Sequence, residues 1–351
     1  MQKIMNWVLA TILIICGASV LTSCSNDDDP TGQPQEYSGV PLVILDTDIG
    51  SSTDDLFALE MLYRYDDEGR CRLLGVVVDR EGEDCAACAD VMNTYGHGDI
   101  PIGLIRDGIK NPKVWIDYKA LPTHTDSEGN LMFRRSVADY SSLPDGWQLY
   151  RRLLAAQPDR SVSIVSIGFV TCLAQLLLSA PDEYSPLSGV ELVRQKVKCI
   201  YLMGGVFGDA IEPIEYNFAQ RPGFAQTFFR LCPADVDVIM TPGEVGDGID
   251  YLPELVTRDI DWTDTHPIKQ VYMNYDCANA GQKMWDPLAV MNAVEGDALF
   301  SLSGRGTVTV SDKGETFFTP SPMGNVRYQL PGSEAWAAQM LEKIRNVNKQ
   351  R

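Results

Sequence analysis

The sequence predicts an α/β fold, in which an open, mainly parallel sheet is flanked by helices. Short apolar runs alternate with segments of helical length along most of the chain, a rhythm that indicates β-α-β units and a parallel sheet. A cluster of aspartates directly follows the first apolar run. That is the place where open sheets of the Rossmann-like type bind their ligands.

The elements follow one another in a regular order. Short apolar runs lie at 41–45, 73–78, 100–104, 161–167, 197–203 and 236–240, and helical segments at 56–62, 85–95, 147–156 and 172–178. Residues 105–146 interrupt this order, because they are rich in Pro, Gly, Asp and aromatic residues, as lids and binding loops are. In the last helix, Trp336, Met340 and Ile344 form a stripe that is typical of packing against a core.

The N-terminus has the features of a bacterial lipoprotein signal peptide. Residues 1–24 contain a basic residue, a short apolar stretch and a sequence that resembles a lipobox, so we expect Cys24 to carry the lipid. Residues 25–40 are polar and acidic, as a flexible tether is. We therefore expect one folded domain, 41–351, anchored in the cell envelope at the outer membrane. It would contact the membrane only through that lipid, since no later segment is apolar enough to span a bilayer.

Charge and cysteine content exclude some functions. Signal removal deletes Lys3 and no acidic residue, so the net charge of −19 becomes −20, and a polyanionic nucleic acid is an unfavourable partner. Cys85 and Cys88 have the spacing of a metal or redox pair, but no second pair or nearby histidine completes a zinc site. We expect both to be small buried side chains on a helix. A disulfide stays open for an exported protein.

Four aspartates crowd the segment between the first strand and the first helix: Asp46, Asp48, Asp54 and Asp55. The start of a helix explains Asp54 and Asp55 as acids of the first turn. It does not explain the other two, which lie at the end of the strand. Like charges at this density repel one another unless a cation neutralises them, and a hard cation prefers oxygen ligands. The loop therefore predicts an active site centred on a metal ion.

The aspartate loop and several later motifs resemble the inosine-uridine-type nucleoside hydrolases. The loop matches the N-terminal signature of that family except at Ser52, where a third aspartate is usual. The later matches are residues 93–103, 167–174, 203–205, 215–217 and 285–289. Each motif is short, but their shared order across 42–294 identifies the chain as a member of the family. The resemblance implies the nucleoside hydrolase fold.

The resemblance also implies an activity and a cofactor. The activity is hydrolysis of the N-glycosidic bond of a ribonucleoside to free base and ribose, with a small-molecule nucleoside as the partner. The cofactor is Ca²⁺, held by the carboxylates of Asp48, Asp55 and Asp286 and by the backbone carbonyl of Thr171. Asp48 is implied as the catalytic base that accepts the proton of the attacking water. A homo-oligomer stays open.

Further residues are implied to contact the substrate: Asp54, Asp79, Met203, Asp209, Glu215, Asn217 and Trp285. Asp54 would bind the ribose 2′-hydroxyl, while Glu215 and Asn217 would hold the 5′ side. Trp285 occupies the place of a histidine that many relatives use near the leaving base. A tryptophan at this position resembles the purine-specific branch, in which aromatic rings sandwich the base, so we expect a purine-type substrate. Trp115 or Tyr118 would supply the second ring.

Two alternatives stay open. The start of the aspartate loop also fits a haloacid-dehalogenase-type phosphatase, with Asp46 as a phosphorylated nucleophile, although Asp54, Asp55 and the later Trp-Asp-Pro motif have no role in that scheme. The second alternative is a catalytically inert lipoprotein that binds a nucleoside or sugar in a calcium-dependent way. The unusual residues Ser52, Asp209 and Trp285 motivate it, but the intact carboxylates favour an enzyme.

Overall fold

A computed structural model of the protein describes residues 39–114, 116–275 and 280–349. The strands are β1 Leu42–Thr47, β2 Arg72–Arg80, β3 Ile102–Ile109, β4 Val162–Ser166, β5 Val197–Met203, β6 Asp237–Thr241, β7 Asp250–Tyr251, β8 Gln282–Lys283, β9 Gly306–Val310, β10 Thr316–Pro320 and β11 Val326–Tyr328. The helices are α1 Asp54–Asp67, α2 Glu83–Gly96, α3 Gly146–Ala155, α4 Thr171–Leu178, α5 Gly189–Lys196, α6 Tyr216–Gln220, α7 Pro222–Leu231, α8 Gly243–Gly246, α9 Pro253–Asp259, α10 Pro267–Asn274, α11 Asp286–Glu295 and α12 Glu334–Asn348. The predicted mainly parallel α/β fold is confirmed.

The main sheet has nine strands in the order β10-β9-β11-β6-β5-β4-β1-β2-β3. Strand β1 pairs in parallel with β2 on one side and with β4 on the other. The chain first winds outward from β1 to β3 and then crosses back to β4, so the strand order reverses between β1 and β4. The loops that leave these two strands diverge at their carboxyl ends and open the crevice in which such sheets bind ligands.

Both faces of the sheet are covered by helices. Strand β1 is buried along its whole length, which explains its continuous apolar sequence. Val43 and Leu45 belong to an apolar cluster that also takes residues from α1, α2, α11 and α12. Ile44 belongs to a second cluster with residues from α3, α4, α5 and α7. The alternation of side chains along β1 therefore joins the two layers of the core.

One edge of the sheet was not predicted from the sequence. Strand β9 pairs antiparallel with both β10 and β11, and β11 then pairs in parallel with β6. These strands have three to five residues, and alternate positions of β9 are exposed. Short, half-exposed strands lack the continuous apolar run that marks a buried parallel strand. The small β7–β8 ladder is missed for the same reason.

The irregular segment after β3 packs against the aspartate loop. It contains two short 3₁₀ turns, Leu121–Thr123 and Tyr140–Ser142, before α3 begins. The backbone N–H of Tyr118 donates to the carbonyl of Gly50 at 3.2 Å, and the Tyr118 hydroxyl donates to the carbonyl of Ser52 at 2.8 Å. The predicted binding loop therefore supports the floor of the site.

Other expectations concern single elements. Met340 and Ile344 of α12 are buried, as the stripe predicted. Cys85 and Cys88 lie buried and unbonded to other cysteines on α2, as expected for small apolar side chains. Within the described ranges, no helix has the length and apolar character that crossing a membrane requires. The signal sequence with Cys24 and most of the tether lie outside the described residues.

Candidate active site

Three buried carboxylates converge at the carboxyl end of β1. Asp54 and Asp55 are the first two residues of α1, and Asp286 is the first residue of α11. One oxygen from each of the three lies within 4.8 Å of the others. Two helix N-termini therefore direct their partial positive charge at the same place, which offsets part of the repulsion. The chain separates these residues widely, but the sheet brings them together.

Asp54 ties the two helices to each other. Its Oδ1 accepts a hydrogen bond from the hydroxyl of Ser52. Its Oδ2 accepts from the backbone N–H groups of Trp285 at 3.2 Å and of Asp286 at 3.3 Å. The serine that departs from the family signature is therefore part of the site, because it orients Asp54.

Asp55 is less fully satisfied. Its Oδ1 accepts a hydrogen bond from the hydroxyl of Thr47, whereas its Oδ2 is buried and has no hydrogen-bond partner in the described part of the chain. A buried carboxylate oxygen without a partner is unfavourable by about 1–3 kcal/mol. The orphaned oxygen, beside two further carboxylates, is what a cation site with oxygen ligands requires.

Asp48 lies beside this cluster and is also buried. Its Oδ2 accepts a hydrogen bond from Ser51 Oγ at 3.1 Å. Burial raises the pKa of Asp48 to about 7, while the hydrogen bond from Ser51 and the nearby guanidinium of Arg80 oppose the rise. Burial and the charges of neighbouring aspartates hold the pKa values of Asp55 and Asp286 well above the usual range. The metal-free cluster therefore favours protonated carboxyls.

A cavity of about 590 Å³ opens above the carboxylates. Glu215 forms part of its wall and accepts backbone N–H groups of Asn217 at 2.6 Å, Phe218 at 3.1 Å and Gly205 at 3.3 Å. Burial raises the pKa of Glu215 to about 7. The Asn217 amide donates to Met203 Sδ at 3.5 Å and thereby joins α6 to the end of β5.

Trp285 lines another part of the same cavity. Its indole N–H donates to the carbonyl of Gly243 at 2.9 Å and to Asp247 Oδ1 at 3.0 Å. The second oxygen of Asp247 accepts the backbone N–H of Ile211 at 2.7 Å. A Cβ atom at Gly246 would lie 2.3 Å from Trp285 Cδ1. Space at Gly246 and two acceptors therefore set the position of the indole.

The structure places the predicted site residues in three groups. Those that line the cavity are Asp48, Asp54, Met203, Glu215, Asn217, Trp285 and Asp286. Asp55, Asp79 and Thr171 are buried at the strand ends, and the Thr171 hydroxyl donates to the backbone carbonyl of Asp79 at 2.8 Å. Asp209 is exposed in the loop after β5, next to the cavity-lining Ala210.

Tyr118 and Trp115 were the two predicted candidates for a second stacking ring. Tyr118 is fully buried, and its hydroxyl is bonded to the carbonyl of Ser52, so it lies beneath the aspartate loop. It does not belong to the described lining of the cavity. Trp115 lies outside the described residues. Its neighbours Val114 and Ile116 line the cavity.

Sequence reasoning missed Asp247 and Gly246. Both follow β6, whose carboxyl end meets the same crevice as β1 and β4. The rule that strand-end loops carry ligand-binding residues would have directed attention to Asp247. No comparable signal marks Gly246, because its importance depends on Trp285, which is distant in sequence.

The comparisons with known proteins agree with this geometry. A sequence profile described as inosine-uridine preferring nucleoside hydrolase matches residues 43–326. The chain belongs to this family. Family membership makes it a nucleoside N-ribohydrolase, an enzyme that hydrolyses the bond between sugar and base. Among curated proteins, no sequence matches it significantly.

Solved structures share the fold of this nucleoside hydrolase. The inosine-uridine preferring nucleoside hydrolase of Bacillus anthracis is 16% identical with a TM-score of 0.64, over 88% of this chain and 100% of that one. An inosine-guanosine nucleoside hydrolase is 16% identical with a TM-score of 0.67, over 89% and 99%. A purine-preferring ribonucleoside hydrolase from Gardnerella vaginalis is 17% identical with a TM-score of 0.63, over 88% and 99%.

Proposed function

We propose that this nucleoside hydrolase is calcium-dependent and cleaves purine ribonucleosides to free base and ribose. One observation carries the proposal: buried aspartates and an indole ring line a single cavity. The carboxylates suit a sugar that becomes positively charged, and the indole suits a flat base. Two of the structural relatives are described as acting on inosine and guanosine or as preferring purines, which supports the choice of purines.

The donor set fits Ca²⁺. Asp55 and Asp286 would supply carboxylate oxygens, and Asp55 Oδ2 has no other partner in the described structure. Asp54 lies in the same cluster, and we retain it as the residue that would bind the ribose 2′-hydroxyl. We retain Asp48 and the Thr171 carbonyl as further ligands, since both lie at the same strand ends. Ca²⁺ prefers six to eight oxygen ligands, more than these carboxylates provide, which leaves room for water and sugar hydroxyls. When bound, the ion would lower the pKa of nearby water and polarise those hydroxyls.

The other steps of hydrolysis are assigned to side chains of the protein. The N-glycosidic bond breaks with its electron pair going to the base nitrogen, and positive charge develops on the ribose as in other glycoside hydrolysis. The buried carboxylates stabilise that charge. Water adds to C1′ and Asp48 accepts its proton, while the departing base gains a proton from solvent. Glu215 is held by three backbone N–H groups, so it can accept sugar hydroxyls at a fixed position without rearranging.

Asp48→Asn tests this assignment. The change keeps the size of the side chain and a hydrogen-bond acceptor for Ser51 but removes the proton acceptor. We expect kcat for inosine to fall by about 10²-fold or more, the usual size of a general-base effect. Free base and reducing sugar are the readouts. Asp99→Asn is the matched control, because Asp99 is exposed. Near-normal turnover of Asp48→Asn would contradict the assignment.

The inert binding protein is the weaker candidate. Two of the departures that motivated it leave the carboxylate cluster intact, since Ser52 supports Asp54 and Asp209 lies exposed in a loop. Binding of inosine to the calcium-loaded protein without any release of base would favour this alternative. We further propose that the enzyme is anchored in the outer membrane through a lipid on Cys24. Labelling with a palmitate analogue, lost in Cys24→Ser, tests the anchor.

A further inference from the structure

The part of the cavity around Trp285 is lined by carboxylates. Asp247 lies against the indole N–H at 3.0 Å. Asp250 and Glu212 also contribute to the lining. Lys283 is the cation of the described lining, and its ammonium is bonded to Asp250 at 2.7 Å. This region therefore carries net negative charge in addition to the buried aspartates, and it favours a positively charged group.

Among the described residues of this region, no histidine lies where it could donate a proton to the leaving base. The chain has three histidines, all of them described, and each is engaged elsewhere. His97 stacks on Tyr63, His124 contacts Tyr275, and His266 caps α10. A neutral purine must therefore take the proton that helps it leave from solvent, whereas a base that is already cationic needs none.

Three other groups of the described lining, Tyr216, Lys283 and Asp247, do not replace a histidine. Burial and the charge of Asp48 raise the pKa of the Tyr216 phenol, which makes it a weaker acid. Lys283 is held by Asp250. Both oxygens of Asp247 accept N–H groups, so they present lone pairs, and not a proton, to these partners. The described groups of this region therefore stabilise a positively charged base, but they do not donate a proton to a neutral one.

We infer that the preferred substrates are ribonucleosides whose base is already positively charged, such as an N7-alkylated purine or a pyridinium nucleoside. The inference rests on the proposed hydrolysis and narrows its substrate class. Cleavage of the C1′–N bond returns its electron pair to the cationic ring, so a neutral base departs. Water supplies the hydroxyl on C1′, and its proton goes to Asp48. No general acid is needed. A cationic ring over an indole face is also favourable.

The test compares 7-methylinosine with inosine. Cationic nucleosides are intrinsically more reactive, so a simple comparison of rates is not enough. The quantity measured is kcat/KM for 7-methylinosine divided by kcat/KM for inosine. This ratio in each variant is then divided by the ratio in the wild type. Removing one negative charge beside the base, in Asp247→Asn or Glu212→Gln, should lower this value by about 3- to 10-fold at the effective dielectric of a partly open site. Lys283→Met, which removes the positive charge, should raise it.

Glu212→Gln keeps the result interpretable if Asp247→Asn displaces Trp285, because Glu212 is exposed. Values near one in all three variants would overturn the inference. In that case, cleavage of inosine by the wild type would still support the proposed function. Dissociation constants of both nucleosides are also measured in Asp48→Asn by equilibrium dialysis. If the wild type cleaves neither nucleoside, the proposed function fails. The inference would then concern binding alone, and it predicts that 7-methylinosine binds more tightly than inosine. Equal dissociation constants for the two nucleosides would overturn the inference.

Discussion

Asp286→Asn should stabilise the metal-free protein and abolish its response to calcium. Oxygens of Asp54, Asp55 and Asp286 lie within 4.8 Å of one another in a buried place. At that separation, two unit charges repel by about 3.5 kcal/mol if the effective dielectric constant is about 20. The substitution removes one of the charges and leaves an amide of the same size, which can donate a hydrogen bond to a neighbouring carboxylate.

The expected gain is smaller than the full repulsion. The metal-free cluster relieves part of it by retaining protons, as the raised pKa values of Asp55 and Asp286 indicate. We therefore expect Asp286→Asn to raise the free energy of unfolding by about 2 kcal/mol at pH 8, which for a chain of this length raises Tm by about 3 °C.

Thermal unfolding with chelator or with excess calcium measures both effects. Calcium at about one hundred times its Kd should stabilise the wild type by about 2.7 kcal/mol. It should leave Asp286→Asn almost unchanged, because a carboxylate ligand is missing. The exposed variant Asp99→Asn should behave as the wild type does. Destabilisation of Asp286→Asn in chelator, or equal calcium responses in both proteins, would refute the reasoning.

Three further expectations concern the same cavity. Trp285→Ala should lower kcat/KM for inosine by an amount equivalent to about 1–3 kcal/mol of transition-state stabilisation, because stacking is lost. Calcium affinity should change little. Unaltered kinetics on every nucleoside would exclude stacking. Gly246→Ala should raise KM for inosine without changing the calcium-dependent shift of Tm, because its Cβ would lie 2.3 Å from the indole; a normal KM would show that the ring position is unimportant. Burial raises the pKa of Asp48 to about 7, so the stability contributed by the protonated Asp48 carboxyl is present below pH 4 and is lost as pH rises through 7. Calcium holds the carboxylates ionised and should therefore raise Tm more at pH 8 than at pH 5. An equal rise in Tm at both pH values would contradict this.

The alternation of strands and helices could be predicted because the central strands are buried on both faces. Strand β5 begins and ends where its apolar run does. The edge strands β9 to β11 could not be predicted, since their pairing depends on contacts with β6 and not on their own pattern. Local sequence encodes burial, whereas the edge of a sheet is completed by distant partners.

The site was predictable to the extent that motifs follow strands. The aspartate loop could be recognised as a candidate metal site from charge density alone. The convergence of Asp286 with that loop rested on resemblance, and the fold supplies the reason, because α11 begins beside α1. The roles of Gly246 and Asp247 required coordinates, since both act on a tryptophan that lies about forty residues further along the chain.

The most direct test of the account is a single titration. Purified protein is stripped of metal, and release of hypoxanthine and reducing ribose from inosine is followed while Ca²⁺ is added. The account predicts almost no release with chelator and equal amounts of base and sugar once calcium is restored, with Asp286→Asn inactive at the same calcium concentration. Full activity in chelator, or release of base without free ribose, would contradict a calcium-dependent nucleoside hydrolase.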